Sequence, residues 1–450
     1  MSENCKATGA KVDLLVSGAY VLTLDDNGTM VENGAVAIAG DTIVAVGASA
    51  ELTARYPTAQ RLETAHGLVM PGLVNAHTHA AMTCFRGLAD DLPLMQWLQD
   101  YIFPAEAKLT GEMVYWSTLL STLEMIRSGT TSFCDMYLFA GQVARAADAS
   151  GMRAWIGEVL YDFPSPNYGP LEKGFDYLDE LAATYRHHPL LTITVDPHAV
   201  YTCSPDLLVR LKERAVALDT RYVIHLSESR EEVAGCTERY GRSPVMHLEA
   251  LGLLDQRVVA DHCVVLTDEE IELLGARGVK VAHCPESNMK LASGVAPVER
   301  LLRAGVVVGL GTDGCASNND VDMFGEMDTA AKLQKVWDLD PTAMSAATTL
   351  RLATRGGAEL LGAGSAIGCL TPGRKADLIV LDLAQPHLTP MYNPISQLVY
   401  AARGADVVHS VINGRIVMED RRVLTLDEAE ILGRMREVAE IVRRVTPAGR

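Results

Sequence analysis

The sequence predicts an α/β protein, a TIM-type (β/α)8 barrel with a small β-sandwich domain built from both chain ends. Eight β-type apolar runs alternate with helical stretches through the middle of the 450-residue chain, and short alternating strands occur at both ends. Polar residues gather at the carboxyl ends of the apolar runs. Barrel enzymes place their active sites at that end of their strands, so the same pattern indicates fold and site.

The two chain ends have the pattern of one small β domain. Residues 1–67 contain short runs of alternating apolar and polar side chains separated by turn residues. The pattern returns in residues 366–425, where Asn413-Gly414 is a hairpin turn signal. Both ends can complete one domain only if residues 68–365 form a compact insert whose own ends lie close together. A terminal helix and tail, residues 426–450, close the chain.

The insert is predicted to be the barrel. Helical stretches separate its β-type runs, and one of them has Thr267 as a plausible N-cap with Glu270 three residues later. A doubly wound open sheet is the alternative, but it would need a glycine-rich phosphate turn after the first strand, which the sequence lacks. The eight runs are Leu68–His79, Gly129–Met136, Arg153–Leu160, Leu190–His198, Arg221–Glu228, Arg257–Val264, Val279–Ser287 and Val306–Asp313.

Composition restricts the location and the partners of the protein. A net charge of −18 and a pI near 5.1 argue against nucleic acid and anionic membranes, whose phosphates attract basic surfaces. The N-terminus lacks the apolar core of a signal peptide, and no apolar run reaches the roughly 18 residues of a membrane helix. Nine scattered cysteines without a CxxC pair indicate reduced thiols. We therefore expect a cytoplasmic protein that binds neither nucleic acid nor membrane.

A metal site is predicted at the carboxyl ends of the apolar runs. His77 and His79 form an HxH pair, and residues two apart in a strand face the same side. His225 adds a third nitrogen and Asp313 an oxygen, which leaves an open position for water on a catalytic zinc. The middle runs contain no lysine to bridge a second metal. One divalent metal per chain is therefore expected, Zn²⁺ first and Fe²⁺ or Mn²⁺ as alternatives.

Acid-base groups lie next to these ligands. Glu228 follows His225 by three residues in HLSE, so it can sit beside the metal without binding it. This position suits a carboxylic acid that protonates a ring nitrogen while hydroxide adds to the adjacent carbon, as in zinc deaminases. His262 is expected to orient the attacking water, and Asp313 to take its proton. The alternative for Glu228 is a surface carboxylate in a helix cap, since SREEV follows it.

Five motifs carry a family resemblance. PGLVNAHTH, HLSE, ADHCV, GLGTDG and PGRKADLIVLD resemble the amidohydrolase superfamily, and the first block, continued through GLADDLPLMQWLQDYIFPAE, resembles the 5′-methylthioadenosine/S-adenosylhomocysteine deaminases. The resemblance covers nearly the whole chain and implies the same four metal ligands. It also implies a homo-oligomer and a purine nucleoside substrate. The residues that it implies for substrate binding are Trp97, Glu106, His198, Glu228 and Asp313.

The sequence by itself supports these substrate contacts unequally. Trp97 also follows a helical apolar spacing, so a core position is its alternative. Glu106, which would accept hydrogen bonds from the two ribose hydroxyls, could equally be a solvated helix start. His198 ends a β-type run, which favours a role in binding.

One loop departs from the family pattern. The family binds the homocysteine carboxylate of the larger substrate with arginines after the third strand, and this loop, YDFPSPNYGP, contains none. Arg153 begins the strand, at its opposite end, and Arg86 has no assigned role. The loop therefore predicts weaker binding of a carboxylate-bearing substrate.

The predicted activity is metal-dependent hydrolytic deamination of the adenine of 5′-methylthioadenosine, which yields the inosine-type product and ammonia. S-adenosylhomocysteine and adenosine are expected to be poorer substrates. A guanine deaminase or chlorotriazine-type hydrolase of the same superfamily is the alternative enzyme. A metal-free scaffold is a further alternative, against which the intact ligand set argues.

Overall fold

Residues 11–92 and 94–445 are described by the structure, a computed structural model of the chain. Residues 1–10 of the predicted segment 1–67 and residues 446–450 of the predicted tail lie outside the described residues. The strands are β1 Leu14–Leu22, β2 Met30–Ala39, β3 Thr42–Ala48, β4 Gln60–Pro71, β5 Leu73–Thr78, β6 Thr130–Tyr137, β7 Arg153–Leu160, β8 Leu191–Ile193, β9 Asp196–Pro197, β10 Tyr222–Leu226, β11 Val258–His262, β12 Lys280–His283, β13 Val307–Leu310, β14 Leu378–Asp382, β15 Val407–Ile412, β16 Arg415–Glu419 and β17 Arg422–Val423.

The helices follow the strands in alternation through the middle of the chain. They are α1 Ser49–Arg55, α2 Leu94–Trp97, α3 Phe103–Glu106, α4 Gly111–Arg127, α5 Ala140–Ser150, α6 Leu171–Tyr185, α7 Pro205–Ala217, α8 Arg230–Tyr240, α9 Pro244–Ala250, α10 Asp268–Arg277, α11 Pro285–Lys290, α12 Val298–Arg303, α13 Met323–Asp338, α14 Ala346–Arg351, α15 Gly357–Leu360, α16 Pro394–Tyr400 and α17 Glu428–Val445. Short 3₁₀ turns lie at Ala80–Phe85, Pro386–Leu388 and Gly404–Asp406, and π-helical turns at Leu98–Ile102 and Leu352–Gly356.

Both chain ends share one eight-stranded sheet, in the order β17-β16-β15-β14-β4-β1-β2-β3. Antiparallel pairing of β14 with β4 joins the two halves, with Leu378 opposite Pro71. The predicted turn connects β15 to β16, and both Asn413 and Gly414 have positive φ angles, 51° and 77°. A type I′ hairpin turn requires positive φ at both positions, which Asn and Gly tolerate. The prediction that the two ends form one sheet is therefore confirmed.

The first predicted barrel strand, Leu68–His79, is in fact two strands. The backbone changes partner between them, because Gly72 N donates to Asp377 O at 3.1 Å and Leu73 N donates to Gly129 O at 3.0 Å. Glycine is required at the change, since an added Cβ at residue 72 would collide with the Thr131 side chain. The prediction of one continuous strand was wrong because the periodicity does not reveal this exchange of partners.

The central strands form two parallel sheets. One has the order β5-β6-β7-β8 with β9 paired to β7, and the other has the order β10-β11-β12-β13. Parallel bridges join Val195 to Tyr222 and Ala199 to His225 between them. On the opposite side, Asp313 N donates to the His77 carbonyl at 3.0 Å. Strands lie within all eight predicted runs, which confirms the mixed α/β class.

Local signals in the sequence act as expected at helix ends. Thr267 and Glu270 form the capping box of α10, in which each side chain accepts a hydrogen bond from the other residue's backbone N–H. The terminal helix α17 packs against α4, and Arg127 pairs with Glu428 at 2.8 Å.

The eight cysteines within the described residues are free thiols, and Cys5 lies outside them. None of the helices in residues 11–92 and 94–445 is long and apolar enough to span a membrane.

Candidate active site and metal centre

Nine predicted site residues come together near the carboxyl ends of the parallel strands. One of the nine, His77, does not line the cavity itself but is fully buried next to it, with its ring centroid 4.8 Å from that of His79. The structure thus places all nine side chains in or beside one cavity. Eight of them line a cavity of about 270 Å³, and these are His79, Trp97, Glu106, His198, His225, Glu228, His262 and Asp313.

Sharp backbone turns direct several of these side chains. Ser227, His262 and Asp313 have φ angles of 54°, 71° and 63°, in the left-handed region. Non-glycine residues seldom adopt this conformation, and such residues cluster at functional sites because the surrounding structure must hold them there. Ser227 follows β10 directly, His262 is the last residue of β11, and Asp313 lies three residues after β13, so all three are at or near the carboxyl ends of their strands.

Two imidazoles point a nitrogen at the same position. The Nδ1 atom of His79 bonds the Met136 carbonyl, and that of His225 bonds the His198 carbonyl at 2.8 Å. A carbonyl accepts only from N–H, so each ring carries its proton on Nδ1 and has a lone pair on Nε2. The two Nε2 atoms are 3.3 Å apart. Two lone pairs that face each other repel, and a cation bound by both removes that repulsion.

His77 and Asp313 complete the group. The Oδ1 atom of Asp313 lies 3.2 Å from His79 Nε2 and 3.7 Å from His77 Nε2. Ligand atoms of the three histidines His77, His79 and His225 all lie within 4.8 Å of one another. Three imidazole nitrogens beside one carboxylate are a donor set that zinc prefers. The residues present therefore fit a single divalent metal.

Charges in the group support the same conclusion. Burial lowers the pKa of His79 to about 4 and the pKa of His225 well below its usual value. Burial also acts against charge on His77, but Asp261 and Asp313 outweigh it and raise the pKa of His77 to about 10. Neighbouring imidazoles hold the pKa of Asp313 well below its usual range, although burial opposes them. The centre thus favours one positive charge, which a bound cation supplies.

Glu228 is a buried carboxyl group in the cavity, and burial raises its pKa. Its Oε1 accepts a hydrogen bond from Ser293 Oγ at 3.3 Å. The helix-cap alternative for this residue is wrong, because Ser229 is the N-cap of α8. Glu232 completes that helix start by accepting from the backbone N–H groups of Ser227 and Glu228, at 3.0 and 2.7 Å. The Glu228 side chain is therefore left to the cavity.

His262 is held beside Glu228 by its own contacts. Its Nδ1 lies 3.0 Å from Asn288 Oδ1, and its ring stacks on His225 with 5.5 Å between centroids and a 16° interplanar angle. An amide oxygen is an acceptor, so Nδ1 carries the proton and Nε2 is free to accept one. The ring is fixed on two sides and lines the cavity.

The same cavity is lined by the three residues implied for nucleoside binding, Trp97, Glu106 and His198. Trp97 is buried and also lines the cavity. It is therefore both a core residue and a wall of the site, the two alternatives for it in the sequence. Burial raises the pKa of Glu106 to about 7, against a smaller effect of the Tyr137 hydroxyl. Burial lowers the pKa of His198 to about 3, and its Nδ1 lies 2.9 Å from Thr202 Oγ1.

The loop after β7 forms an aromatic and proline-rich wall of the cavity. Tyr161 and Phe163 stack with 3.9 Å between centroids, and Phe163, Pro164 and Pro166 line the cavity. Among the described residues, no arginine or lysine lines it.

The two arginines considered from the sequence are engaged elsewhere. Arg86 forms a two-point ion pair with Glu124. Arg153 pairs with Asp377 at 2.7 Å and contacts Asn413, both in the part of the chain that forms the end sheet. Arg153 therefore lies at the amino end of its strand, as predicted, and its side chain links the parallel sheet that contains β7 to the eight-stranded sheet of the chain ends.

Sequence reasoning missed several buried polar partners of the site. Asp261 Oδ2 lies 3.1 Å from His77 Nδ1, and both side chains are fully buried. Ser287 and Ser317 donate to Asp313 Oδ2 at 2.6 and 3.1 Å. The one available signal was a charged residue in the apolar run VVADH. Ser287 lies in the first turn of α11 and Ser317 in the turn after β13, and neither position indicated a partner for Asp313.

Comparison with known proteins places the chain among deaminases. The amidohydrolase family model matches residues 68–417, and a model of the bacterial imidazolonepropionase-like composite domain matches residues 34–59. A 5-methylthioadenosine/S-adenosylhomocysteine deaminase from Syntrophobacter fumaroxidans is 59% identical over 96% of this chain and 99% of its own length. A 5′-deoxyadenosine deaminase from Methanosarcina barkeri is 46% identical over 96% and 99%. The crystal structure of a zinc-bound adenosine deaminase from Xanthomonas campestris has a TM-score of 0.94 at 41% identity, covering 96% and 99%.

Proposed function

Because the chain belongs to the amidohydrolase family, we propose that it is a metal-dependent deaminase of 5′-methylthioadenosine. It replaces the exocyclic amine of adenine with oxygen, with release of ammonia, and accepts S-adenosylhomocysteine and adenosine less well. The observation that carries the proposal is that one cavity is lined by Glu228, Glu106 and Trp97 and by members of the metal-binding group. The deaminase names of the relatives support the reaction class, hydrolysis of a C–N bond.

One divalent metal would be held by the three histidines and Asp313. Zn²⁺ is the first choice, since zinc is bound in the similar adenosine deaminase from Xanthomonas campestris, and Fe²⁺ or Mn²⁺ would suit the same donors. The bound metal supplies a Lewis acid that makes water nucleophilic at neutral pH. The ligands are His77, His79, His225 and Asp313.

Three side chains manage the protons of the reaction. Glu228, whose pKa is raised by burial, donates a proton to the ring nitrogen next to the carbon that water attacks. His262 orients the attacking water through its free Nε2, and Asp313 takes a proton from that water. The carbon then forms its bond to the water oxygen, and Asp313 passes the proton it took from water to the exocyclic amine. The C–N bond breaks to release ammonia, and the remaining hydroxyl proton passes to Glu228 as the carbonyl forms.

Three other residues that line the cavity position the nucleoside. Glu106 accepts hydrogen bonds from the two ribose hydroxyls, Trp97 lines the path to the 5′ end, and neutral His198 hydrogen-bonds the nucleoside. The 5′ substituent extends towards the aromatic loop after β7. Guanine and chlorotriazines have no ribose, so they leave Glu106 buried without a partner, which disfavours the alternative enzymes.

Substrate preference at the 5′ end tests this function. A homocysteine carboxylate loses its water against the wall of Phe163 and Pro164 without gaining a cation, whereas a methylthio group only leaves water for an apolar surface. We expect kcat/KM for 5′-methylthioadenosine to exceed that for S-adenosylhomocysteine by about tenfold, the value of one missing charge-assisted contact of ~1.5 kcal/mol. Steady-state rates, followed by ultraviolet absorbance of the purine, measure the ratio.

A gain-of-function variant serves as the control for that ratio. Phe163→Arg places a cation in the loop and should raise kcat/KM for S-adenosylhomocysteine relative to 5′-methylthioadenosine. The panel includes adenosine, guanine and a chlorotriazine. Preference for either of the last two contradicts the proposed function, and a clear wild-type preference for S-adenosylhomocysteine contradicts the argument from the loop.

The pH dependence of KM tests Glu106. Burial raises the pKa of this group to about 7, so it loses its charge as the pH falls through 7 and then accepts hydrogen bonds from ribose more weakly. We expect KM for 5′-methylthioadenosine to rise about tenfold between pH 8 and pH 6, because a hydrogen bond to a charged acceptor is worth ~1.5 kcal/mol or more. Glu106→Gln should raise KM and remove its pH dependence. 2′,3′-Dideoxyadenosine, which lacks both hydroxyls, should show no such dependence, and an unchanged slope in the Gln variant would reassign the group.

We further infer a closed TIM-type (β/α)8 barrel for the two parallel sheets. The bridges Val195–Tyr222 and Ala199–His225 on one side and the bond from Asp313 to His77 on the other support closure. This domain corresponds to the predicted 68–365, with its start moved to Gly72. A small β-sandwich from 1–67 and 366–425 is supported by contacts of the edge strand β3 with the segment before β14, where Ile43 N donates to Arg374 O at 2.8 Å. A cytoplasmic homo-oligomer stays a prediction.

A further inference from the structure

We propose that Asp261 is a positioning residue that holds the His77 ring for metal binding. The inference rests on the proposed function, since it requires His77 to be a metal ligand. Asp261 has no part in the proton transfers described above.

The observation is a difference between the three histidines. His79 and His225 each fix their Nδ1 atom on a backbone carbonyl. His77 instead faces the carboxylate of Asp261, with 3.1 Å between Nδ1 and Oδ2. Asp261 pairs with His225 in the register of β11 and β10, so it is carried on the same rigid sheet as another ligand. The carboxylate thus has a fixed position beside the ring.

Such a pair favours metal binding by the other ring nitrogen. A carboxylate beside Nδ1 keeps the proton on that atom and leaves the lone pair on Nε2, and it makes the ring a better electron donor. Nε2 of His77 is the nitrogen that lies towards Asp313. The contact therefore selects the tautomer that the metal centre needs.

The carboxylate is costly where it stands. Asp261 is fully buried, and within the described residues neither of its oxygens has a regular hydrogen bond. Across the same residues, His77 is its one basic neighbour within 4.0 Å. A buried charge with so few partners destabilises a fold, and an apolar side chain would serve packing better. A gain in metal affinity accounts for a charged residue at this position.

Zinc affinity and the stability of the metal-free protein test the proposal together. The metal is removed with a chelator, and the Zn²⁺ dissociation constant is measured by competition with a chromophoric chelator. Loss of a carboxylate behind a ligand histidine weakens metal binding by about 10- to 100-fold. We expect this loss in Asp261→Ala and a smaller one in Asp261→Asn, whose amide oxygen keeps a partial negative charge beside Nδ1. In either metal-free variant, any fall in the free energy of unfolding should be smaller than the fall in the free energy of Zn²⁺ binding.

The matched control is Asp196→Asn. Asp196 is also a fully buried aspartate whose oxygens have no hydrogen bond within the described residues, and no histidine lies within 4.0 Å of it there. This variant should bind Zn²⁺ as the wild type does. An equal loss of affinity in the control, or wild-type affinity in both Asp261 variants, overturns the proposal. A fall in metal-free stability as large as the fall in affinity also overturns it. A wild-type chain that binds no Zn²⁺ overturns the proposed function itself, and this outcome is seen before any variant is made.

Discussion

Alanine in place of any proposed metal ligand is expected to lower metal content and deaminase activity together. Removal of a residue that only hydrogen-bonds a metal ligand lowers metal affinity or activity by about 10- to 100-fold. Removal of a ligand itself should therefore lower them by more than ~100-fold. The physical reason is that three remaining donors cannot offset the free energy of hydration that the ion gives up. The four variants are His77→Ala, His79→Ala, His225→Ala and Asp313→Ala.

Elemental analysis and steady-state rates on the same samples measure this effect. His247→Ala is a suitable control, because His247 is a buried histidine that stacks on Tyr240 outside the metal group. It should keep both metal and activity. Full activity in the metal-stripped wild type would end the account of a metal-dependent deaminase.

Glu228→Gln is expected to keep the fold and the metal while kcat falls by ~100-fold or more, the usual scale of general acid-base catalysis. Glutamine keeps the size and hydrogen bonding of the side chain, but it cannot deliver a proton to the purine. Burial raises the pKa of Glu228, so the wild-type acid keeps its proton to a higher pH than an exposed glutamate does. Its kcat should therefore decline as the pH rises through that pKa, and the variant should lack this decline.

Glu231→Gln provides the matched control, since Glu231 is an exposed carboxylate in the same segment. It should leave kcat and its pH profile unchanged. Metal content and circular dichroism establish that the Glu228 variant is folded and loaded. A near-normal kcat in that variant would assign Glu228 to structure and leave the acid unidentified.

Local features were readable from the sequence. The capping box of Thr267 and Glu270 and the hairpin turn at Asn413-Gly414 depend on residues within a few positions of each other. The strand ends that carry His77 and Asp313 were readable too, because apolar runs mark strands and polar residues mark where they stop. Parallel strands bring such ends to one edge, so gathering the metal ligands needed little beyond the strand order.

Contacts between distant segments were decided only by the tertiary structure. No spacing in the sequence places Asp261 at 3.1 Å from His77, or commits Arg86 to Glu124 and away from the cavity. The run Leu68–His79 divides at Gly72 because two different sheets supply its hydrogen-bond partners. Local periodicity determines which residues form strands and helices, whereas a buried polar group takes whichever partner the packed chain brings within hydrogen-bond distance. The sequence by itself therefore determined the strands and helices and the candidate metal ligands of this protein, and the tertiary structure alone decided which buried charges lie beside them.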